Sequence, residues 1–62
     1  MANAQVGERL LVTIPEAAAL LSLGRSTMYE LVQRQQIPVV HIGRAVRVRV
    51  EDLRRFAGET VG

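Results

Sequence analysis

The sequence predicts a small α+β fold in which two short helices precede a two-stranded hairpin and a closing helix. Apolar residues recur with helical spacing between Thr13 and Gln35. From Val39 to Val50, Val and Ile alternate instead with Arg, which is the period of a β-strand. With 62 residues the chain has room for one domain, near the lower limit of what folds without extra support.

The ends of the chain are expected to be tails around one domain. Residues 1–9 are polar and aperiodic, which predicts a flexible N-terminal tail. The domain is expected to span residues 10–58, with a C-terminal tail at 59–62. Its first apolar run, Leu10-Leu11-Val12, fits either a short strand or a plug against the core.

The first helix is predicted to begin after Thr13. Thr13 and Glu16 have the spacing of a capping box, and Pro15 suits the first helical turn. An apolar stripe follows at helical spacing, formed by Ile14, Ala17, Ala18 and Leu21. The segment Ser22-Leu23-Gly24 then predicts a tight turn, with Gly24 as its conformationally permissive residue.

The second helix is predicted over Arg25–Gln35 and has two distinct faces. Met28, Leu31 and Val32 form its inner stripe, with Gln35 below them. The outer face is polar and mostly short, and it carries Glu30, which we expect to pair with Arg34 at i+4. Pro38 closes the helical region, because the residue before a proline is disfavoured in the helical conformation.

The hairpin can adopt two registers around Gly43. A two-residue loop pairs Ile42 with Ala45 and places Arg47 and Arg49 on the same face as Val40 and Ile42. A three-residue loop pairs Ile42 with Val46 and Val40 with Val48, so the β-branched residues face the core and His41 faces outward with the two arginines. We expect the three-residue loop because it buries more apolar surface, although such loops prefer Gly at their last position.

A short closing helix is predicted after the hairpin. Glu51 and Asp52 suit the positive end of its dipole. Its inner stripe is Leu53, Phe56 and Ala57, and Gly58 is expected to end it.

The distribution of charge is more informative than the net charge of +2. Residues 33–50 contain four Arg and one His but no acid, and the chain contains no Lys. Arginine presents a planar fork of donors that suits phosphate and guanine edges, although a GC-rich genome explains an all-arginine choice equally well. A solvated strand face usually mixes charges of both signs, so the sequence favours a polyanion as partner.

Several classes of function are disfavoured by composition. The chain has no Cys and one His, so neither a disulfide nor a metal centre is expected, and no cofactor is predicted. No nucleophile–base pair or carboxylate dyad has a usable spacing, which argues against an enzyme. No segment has the pattern of a signal peptide or a membrane span, so we expect a soluble cytoplasmic protein without membrane contact.

Four segments in this order resemble the excisionase-type winged helix-turn-helix family, which is related to the MerR-like regulators. They are Leu11 to Leu21 with its Thr-x-x-Glu-Ala-Ala pattern, Gly24-Arg-Ser-Thr-Met-Tyr29, Ile37-Pro38 with His41-Ile-Gly-Arg44, and Glu51-Asp-Leu53. The chain departs from the family at Gly24, where a Ser cap is usual, and at Val46, where an aromatic residue is frequent. The resemblance covers roughly Leu10 to Phe56.

The resemblance implies that the second helix enters the major groove of double-stranded DNA and that the hairpin, as a wing, contacts the backbone or the minor groove. On the helix it implies contacts from Arg25, Ser26, Thr27, Tyr29, Gln33 and Arg34. On the wing it implies contacts from His41, Arg44, Arg47 and Arg49. Half-buried packing remains an alternative for Tyr29, and an ordinary surface position is the simplest interpretation of His41.

The implied function is that of an excisionase, a recombination directionality factor of a phage or integrated element. Such a protein binds and bends attachment-site DNA, cooperatively and with an integrase of the tyrosine or serine class, in the nucleoid of a bacterial host. A module this small should bind weakly alone, which agrees with cooperative self-association on DNA. A small transcriptional regulator, usually a repressor, is the alternative. A protein-interaction adaptor fits less well, because the outer helix face is polar.

Overall fold

The predicted α+β fold is confirmed by a computed structural model, which describes residues 9–61 and the side chains of residues 9–58. The elements in chain order are β1 (Leu11–Val12), α1 (Ile14–Leu20), α2 (Arg25–Gln33), β2 (Val40–Ile42), β3 (Ala45–Arg49) and α3 (Val50–Val61). The strands form one antiparallel sheet in the order β1-β3-β2. This is the architecture of a small winged helix-turn-helix. Residues 1–8 of the expected tail at 1–9 lie outside the described residues, and the proposed domain limits remain predictions.

The core lies where α1, α2, the sheet and α3 meet. Helix α1 packs against both α2 and β3, and α3 packs against β3 as well. Ala17 and Ala18 of α1 are buried, and their small side chains allow a neighbouring element to approach the helix closely. The buried core consists of Val12, Ile14, Ala17, Ala18, Met28, Ile37, Val48 and Leu53. Apolar burial of this kind is the dominant favourable contribution to folding.

The capping box at the start of α1 is confirmed. The Thr13 hydroxyl accepts from the Glu16 N–H at 3.2 Å, and the Glu16 carboxylate accepts from the Thr13 N–H at 2.9 Å. At the other end the predicted turn is present, but its left-handed residue is not Gly24. The left-handed residue is Ser22, with φ 60°, whereas Gly24 has an extended conformation (φ −71°, ψ 159°) and is the N-cap of α2.

Ser22 adopts this conformation because it terminates α1 in a Schellman motif. The Leu23 N–H donates to the Ala18 carbonyl at 2.8 Å, and the Ser22 N–H donates to the Ala19 carbonyl at 3.1 Å. These two bonds satisfy carbonyls that the end of the helix would otherwise leave without partners. The same motif ends α2, where Gln35 has φ 63° and the Gln36 N–H donates to the Leu31 carbonyl at 2.9 Å.

Helix α2 is therefore shorter than the sequence indicated. Its last residue is Gln33 and its C-cap is Arg34, so Gln35 is an exposed residue beyond the helix and does not extend the inner stripe. Met28 is fully buried, as predicted, with Leu31 and Val32 half-buried beside the core.

The predicted register of the hairpin was wrong. The observed pairs are Ile42 with Ala45, His41 with Val46 and Val40 with Arg47, which leaves the two-residue loop Gly43-Arg44. Gly43 has φ 60° at the first loop position, which is where a type II′ turn needs a positive φ. The backbone conformation of Gly43 thus favours the two-residue register, although this register does not bury every β-branched residue.

The end of α3 also differs from the prediction. The helix continues through Gly58 to Val61, so Gly58 does not end it. A glycine inside a helix costs about 1 kcal/mol relative to alanine but does not stop the helix unless the chain turns left-handed there. Leu53 is buried and Phe56 half-buried against the core, as predicted.

Candidate nucleic-acid interface

The six residues predicted to contact DNA from α2 and its C-cap are all exposed to solvent. Met28 anchors the helix in the core and has no accessible surface, so the opposite side of α2 faces solvent. Tyr29 is 51% exposed, which leaves its hydroxyl available for an external hydrogen bond. The exposed set is Arg25, Ser26, Thr27, Tyr29, Gln33 and Arg34.

The N-terminal end of α2 suits an anionic ligand. Its N-cap is Gly24, which provides no side-chain oxygen to the first N–H groups of the helix, and its first turn contains no acid. Backbone N–H groups and the helix dipole both favour negative charge at such an end. Arg25 and Ser26 begin the helix there, so a charged and a neutral donor lie beside the same N–H groups.

The acid of this face is paired as predicted. The Arg34 guanidinium donates to the Glu30 carboxylate at 3.1 Å across one helical turn. Both side chains are more than half exposed, so the pair adds little stability. Its effect is electrostatic, because Arg34 offsets the negative charge that Glu30 would otherwise present to a phosphate.

The wing arginines lie in three different environments. Arg44 is exposed in the turn and makes no ion pair with any described residue. Arg47 is half-buried, and its Nη1 donates to the Val46 carbonyl at 2.9 Å. Arg49 lies 3.6 Å from the Asp52 carboxylate, measured from Nη1 to Oδ2.

The corrected register changes which side chains share a face. Arg47 and Arg49 lie on the outer face of the sheet with Val40 and Ile42, because residues paired across antiparallel strands point the same way. His41 is paired with Val46 and points to the other face, although it is exposed because it lies near the end of the hairpin. His41 therefore does not face outward together with the two arginines, as the sequence had suggested.

An apolar component of this surface was not predicted. Leu10 is 82% exposed and Ile42 is 54% exposed. An open groove of about 770 Å³ runs between the outer sheet face and the start of α3, lined by Arg9, Leu10, Leu11, Val40, Arg49, Val50, Glu51 and Arg54. Of the two registers considered from the sequence, only the two-residue loop, which was not the expected one, places Val40 and Ile42 on the face of Arg47 and Arg49.

Two other kinds of site find no support in the described residues. Among the described side chains, those of residues 9–58, no three His, Cys, Asp or Glu are grouped so that they could hold a metal ion. Over residues 9–61, every helix is too short or too polar to cross a bilayer.

Comparison with known proteins relates the chain to DNA-binding helix-turn-helix proteins. A family model described as a helix-turn-helix domain matches residues 11–60. An excisionase of Streptomyces ambofaciens is 35% identical over 52 residues, which cover 84% of this chain and 84% of that protein. A Mycobacterium tuberculosis protein, whose name provisionally calls it a DNA-binding protein, is 36% identical over 76% of this chain and 60% of its own length.

A third relative, the uncharacterized protein YvgK of Bacillus subtilis, is 39% identical over 71% of this chain. The chain spans only 14% of YvgK and 60% of the mycobacterial protein, so in these relatives the shared region is one part of a longer polypeptide. No solved structure matches the chain.

Proposed function

Because the chain belongs to the helix-turn-helix domain family, as an excisionase-type DNA-binding protein, we propose that it acts as a recombination directionality factor. In this role it binds and bends attachment-site DNA and, together with an integrase, promotes excision of an integrated element. One observation carries the proposal: the excisionase relative is similar over 84% of its length, so the similarity extends across nearly the whole of a protein with that name.

We propose that α2 binds in the major groove. Its exposed residues Arg25, Ser26 and Thr27 begin the helix, where donors to guanine edges and to phosphates are both present. Tyr29 adds a hydroxyl for a phosphate, and Gln33 with the oriented Arg34 lies further along the helix. This division assigns reading of bases to the first turn and positioning on the backbone to the rest.

We propose that the wing contacts the backbone or the adjacent minor groove. Arg44 is the residue best placed for this, because the turn exposes it and no described acid pairs with it. Arg47 and Arg49 follow on the outer face, and His41 lies beside the tip. A basic side chain in a narrow minor groove is attracted by the enhanced negative potential there.

The proposed partners follow from this role. They are double-stranded DNA, an integrase of the tyrosine or serine class, and further copies of the protein bound cooperatively on adjacent sites. Such a complex would form on the nucleoid in the bacterial cytoplasm. No membrane partner is proposed.

The direct test is a recombination assay in vitro. Purified protein is added to the integrase encoded by a neighbouring gene, with excision substrates and, separately, with integration substrates. We expect excision to rise and integration to fall. The major-groove assignment is tested separately in a binding assay, where Thr27→Ala should alter sequence preference more than nonspecific affinity. If the protein binds the attachment site but leaves excision unchanged, the directionality role is wrong and the regulator of transcription becomes the better hypothesis.

The wing assignment has its own test. With about five phosphate contacts, the logarithm of affinity should fall with the logarithm of salt at a slope of roughly −4 to −5. Arg44→Ala and Arg47→Ala should each reduce the steepness of this slope by about 0.9. Slopes unchanged by both substitutions would remove the wing from the interface.

A further inference from the structure

Arg49 and Asp52 form an ion pair across the junction between the wing and the closing helix. Arg49 is the last residue of β3, and Asp52 lies in the first turn of α3. The distance from Nη1 to Oδ2 is 3.6 Å. The two side chains are unequally exposed: 53% of the Arg49 side chain is accessible, but only 13% of the Asp52 side chain.

Asp52 has few ways to compensate its charge. Its Oδ2 atom is buried and accepts no hydrogen bond from the described residues. A carboxylate removed from water needs a nearby cation, and leaving such a group unpaired is strongly unfavourable. The dipole of α3 contributes at this position, and Arg49 provides the full positive charge.

The pair is asymmetric in its freedom to move. Asp52 is fixed by its burial beside Leu53, which belongs to the core. The Arg49 guanidinium has five donors, and at 3.6 Å it is tied to Oδ2 by charge rather than by a short hydrogen bond. Moving Arg49 away to a phosphate would leave the buried oxygen without its cation. Asp52 therefore opposes such a movement.

We infer that Asp52 is a positioning residue that keeps Arg49 on the outer face of the sheet and offsets its charge, so that Arg49 lies beside DNA while adding little to phosphate neutralisation. This inference rests on the proposed contact between the wing and DNA. It separates Arg49 from Arg44, whose charge no described acid offsets.

The inference predicts a specific pattern in the salt dependence of duplex binding. Asp52→Asn keeps the shape of the side chain but removes its charge. It should steepen the slope by about 0.9 and tighten binding at low salt by about threefold. Arg49→Ala alone should change the slope by less than half as much as Arg44→Ala, and Asp52→Asn should have no effect when Arg49 is already alanine.

Glu51→Gln is the matched control. It removes the same charge from the same helical turn, but Glu51 is exposed and lies 3.8 Å from Arg55 rather than beside Arg49. Its effect on the slope should be the same whether or not Arg49 is present. The folding of each variant is checked by circular dichroism, and Asp52→Ser provides a second uncharged residue that suits the start of a helix.

A slope unchanged by both Asp52 variants would overturn the inference, and so would a change that persists in the Arg49→Ala background. The unmodified protein offers an independent readout by nuclear magnetic resonance. On addition of duplex, the Arg44 side-chain N–H signals should shift and those of Arg49 should move little. A larger shift for Arg49 than for Arg44 would contradict the inference that Asp52 holds Arg49 in place. Failure of the wing proposal itself is distinguishable, because Arg44→Ala would then leave the slope unaltered.

Discussion

At the scale of single residues, Glu16 joins the N-cap of α1 to Arg9, which precedes the helix. Its carboxylate accepts from the Thr13 N–H at 2.9 Å and from the Arg9 guanidinium at 2.7 Å. The bond from the Thr13 backbone is the main cause that lowers the pKa of Glu16 below its ordinary value, and the bond from Arg9 is the second. The ionised form of Glu16 is therefore the one that the fold uses.

This lowered pKa predicts how stability responds to acid. A carboxyl group with a lower pKa in the folded state stabilises the fold at pH values above its unfolded pKa, about 4.3, and loses that contribution as the pH falls through the folded pKa. Urea midpoints between pH 7 and pH 2 should fall less steeply for Glu16→Gln than for the unmodified protein. Parallel curves for the two proteins would mean that Glu16 is not linked to folding.

A second prediction at this scale concerns the left-handed residue Gln35. A non-glycine residue at φ 63° costs about 1 kcal/mol that glycine avoids. Gln35→Gly should therefore raise the free energy of unfolding by roughly 0.5–1 kcal/mol. The neighbouring Gln36→Gly is the control, because residue 36 has no positive φ and glycine there should only add flexibility to the unfolded chain. Equal losses in both variants would contradict the prediction.

At the scale of elements, α2 begins without a side-chain cap. Gly24 has an extended conformation (φ −71°, ψ 159°), and a Cβ atom added there would meet nothing within 4 Å. Serine at this position could accept a hydrogen bond from an N–H group of the first turn. Gly24→Ser should raise the free energy of unfolding by about 0.5–1 kcal/mol in urea titrations. Gly24→Ala adds the Cβ atom without the oxygen, so it should raise the free energy of unfolding by less than Gly24→Ser does. Equal increases in the two variants would exclude capping as the cause.

Elements whose signals are local could be predicted from the sequence. The capping box at Thr13 and the pairing of Glu30 with Arg34 depend on spacings of three and four residues, and both are present. The inner stripe of α2 was predicted for the same reason. The ends of the helices were harder, because Ser22 and Gln35 adopt a conformation that sequence reasoning assigns first to glycine.

The wing could not be predicted to the same degree, because its register is decided by more than apolar burial. The backbone of Gly43 selects a two-residue turn, and β1 fixes the position of β3 from the other side by pairing Val12 with Val48. That second contact joins residues 36 positions apart in sequence. The ion pair of Arg49 with Asp52 was missed for a related reason: it crosses from a strand to a helix, where neither periodicity applies.

At the scale of the whole molecule, a core this small makes stability sensitive to single buried side chains. Met28, Ile37, Val12 and Val48 are the largest fully buried residues among those described. Ile37 lies outside the regular elements, in the connection between α2 and β2, and packs into the core at 1% exposure. Removing its side chain would leave a cavity in the core cluster that also contains Met28 of α2 and Val48 of β3.

Ile37→Ala should therefore be rescued by DNA. Loss of such a side chain costs about 2–5 kcal/mol, which is comparable to the stability of a small domain. A duplex that binds only the folded state, at a concentration of 100 times its dissociation constant, returns about 2.7 kcal/mol. Circular dichroism should show a largely unfolded variant whose helical signal and melting temperature rise with duplex concentration. The exposed substitution Leu20→Ala should show no comparable loss, since Leu20 lies 46% exposed on α1. If Ile37→Ala were unfolded and remained so at saturating duplex, folding and DNA binding would not be linked through this core. If Ile37→Ala were as stable as the unmodified protein, Ile37 would not contribute to the stability of the core.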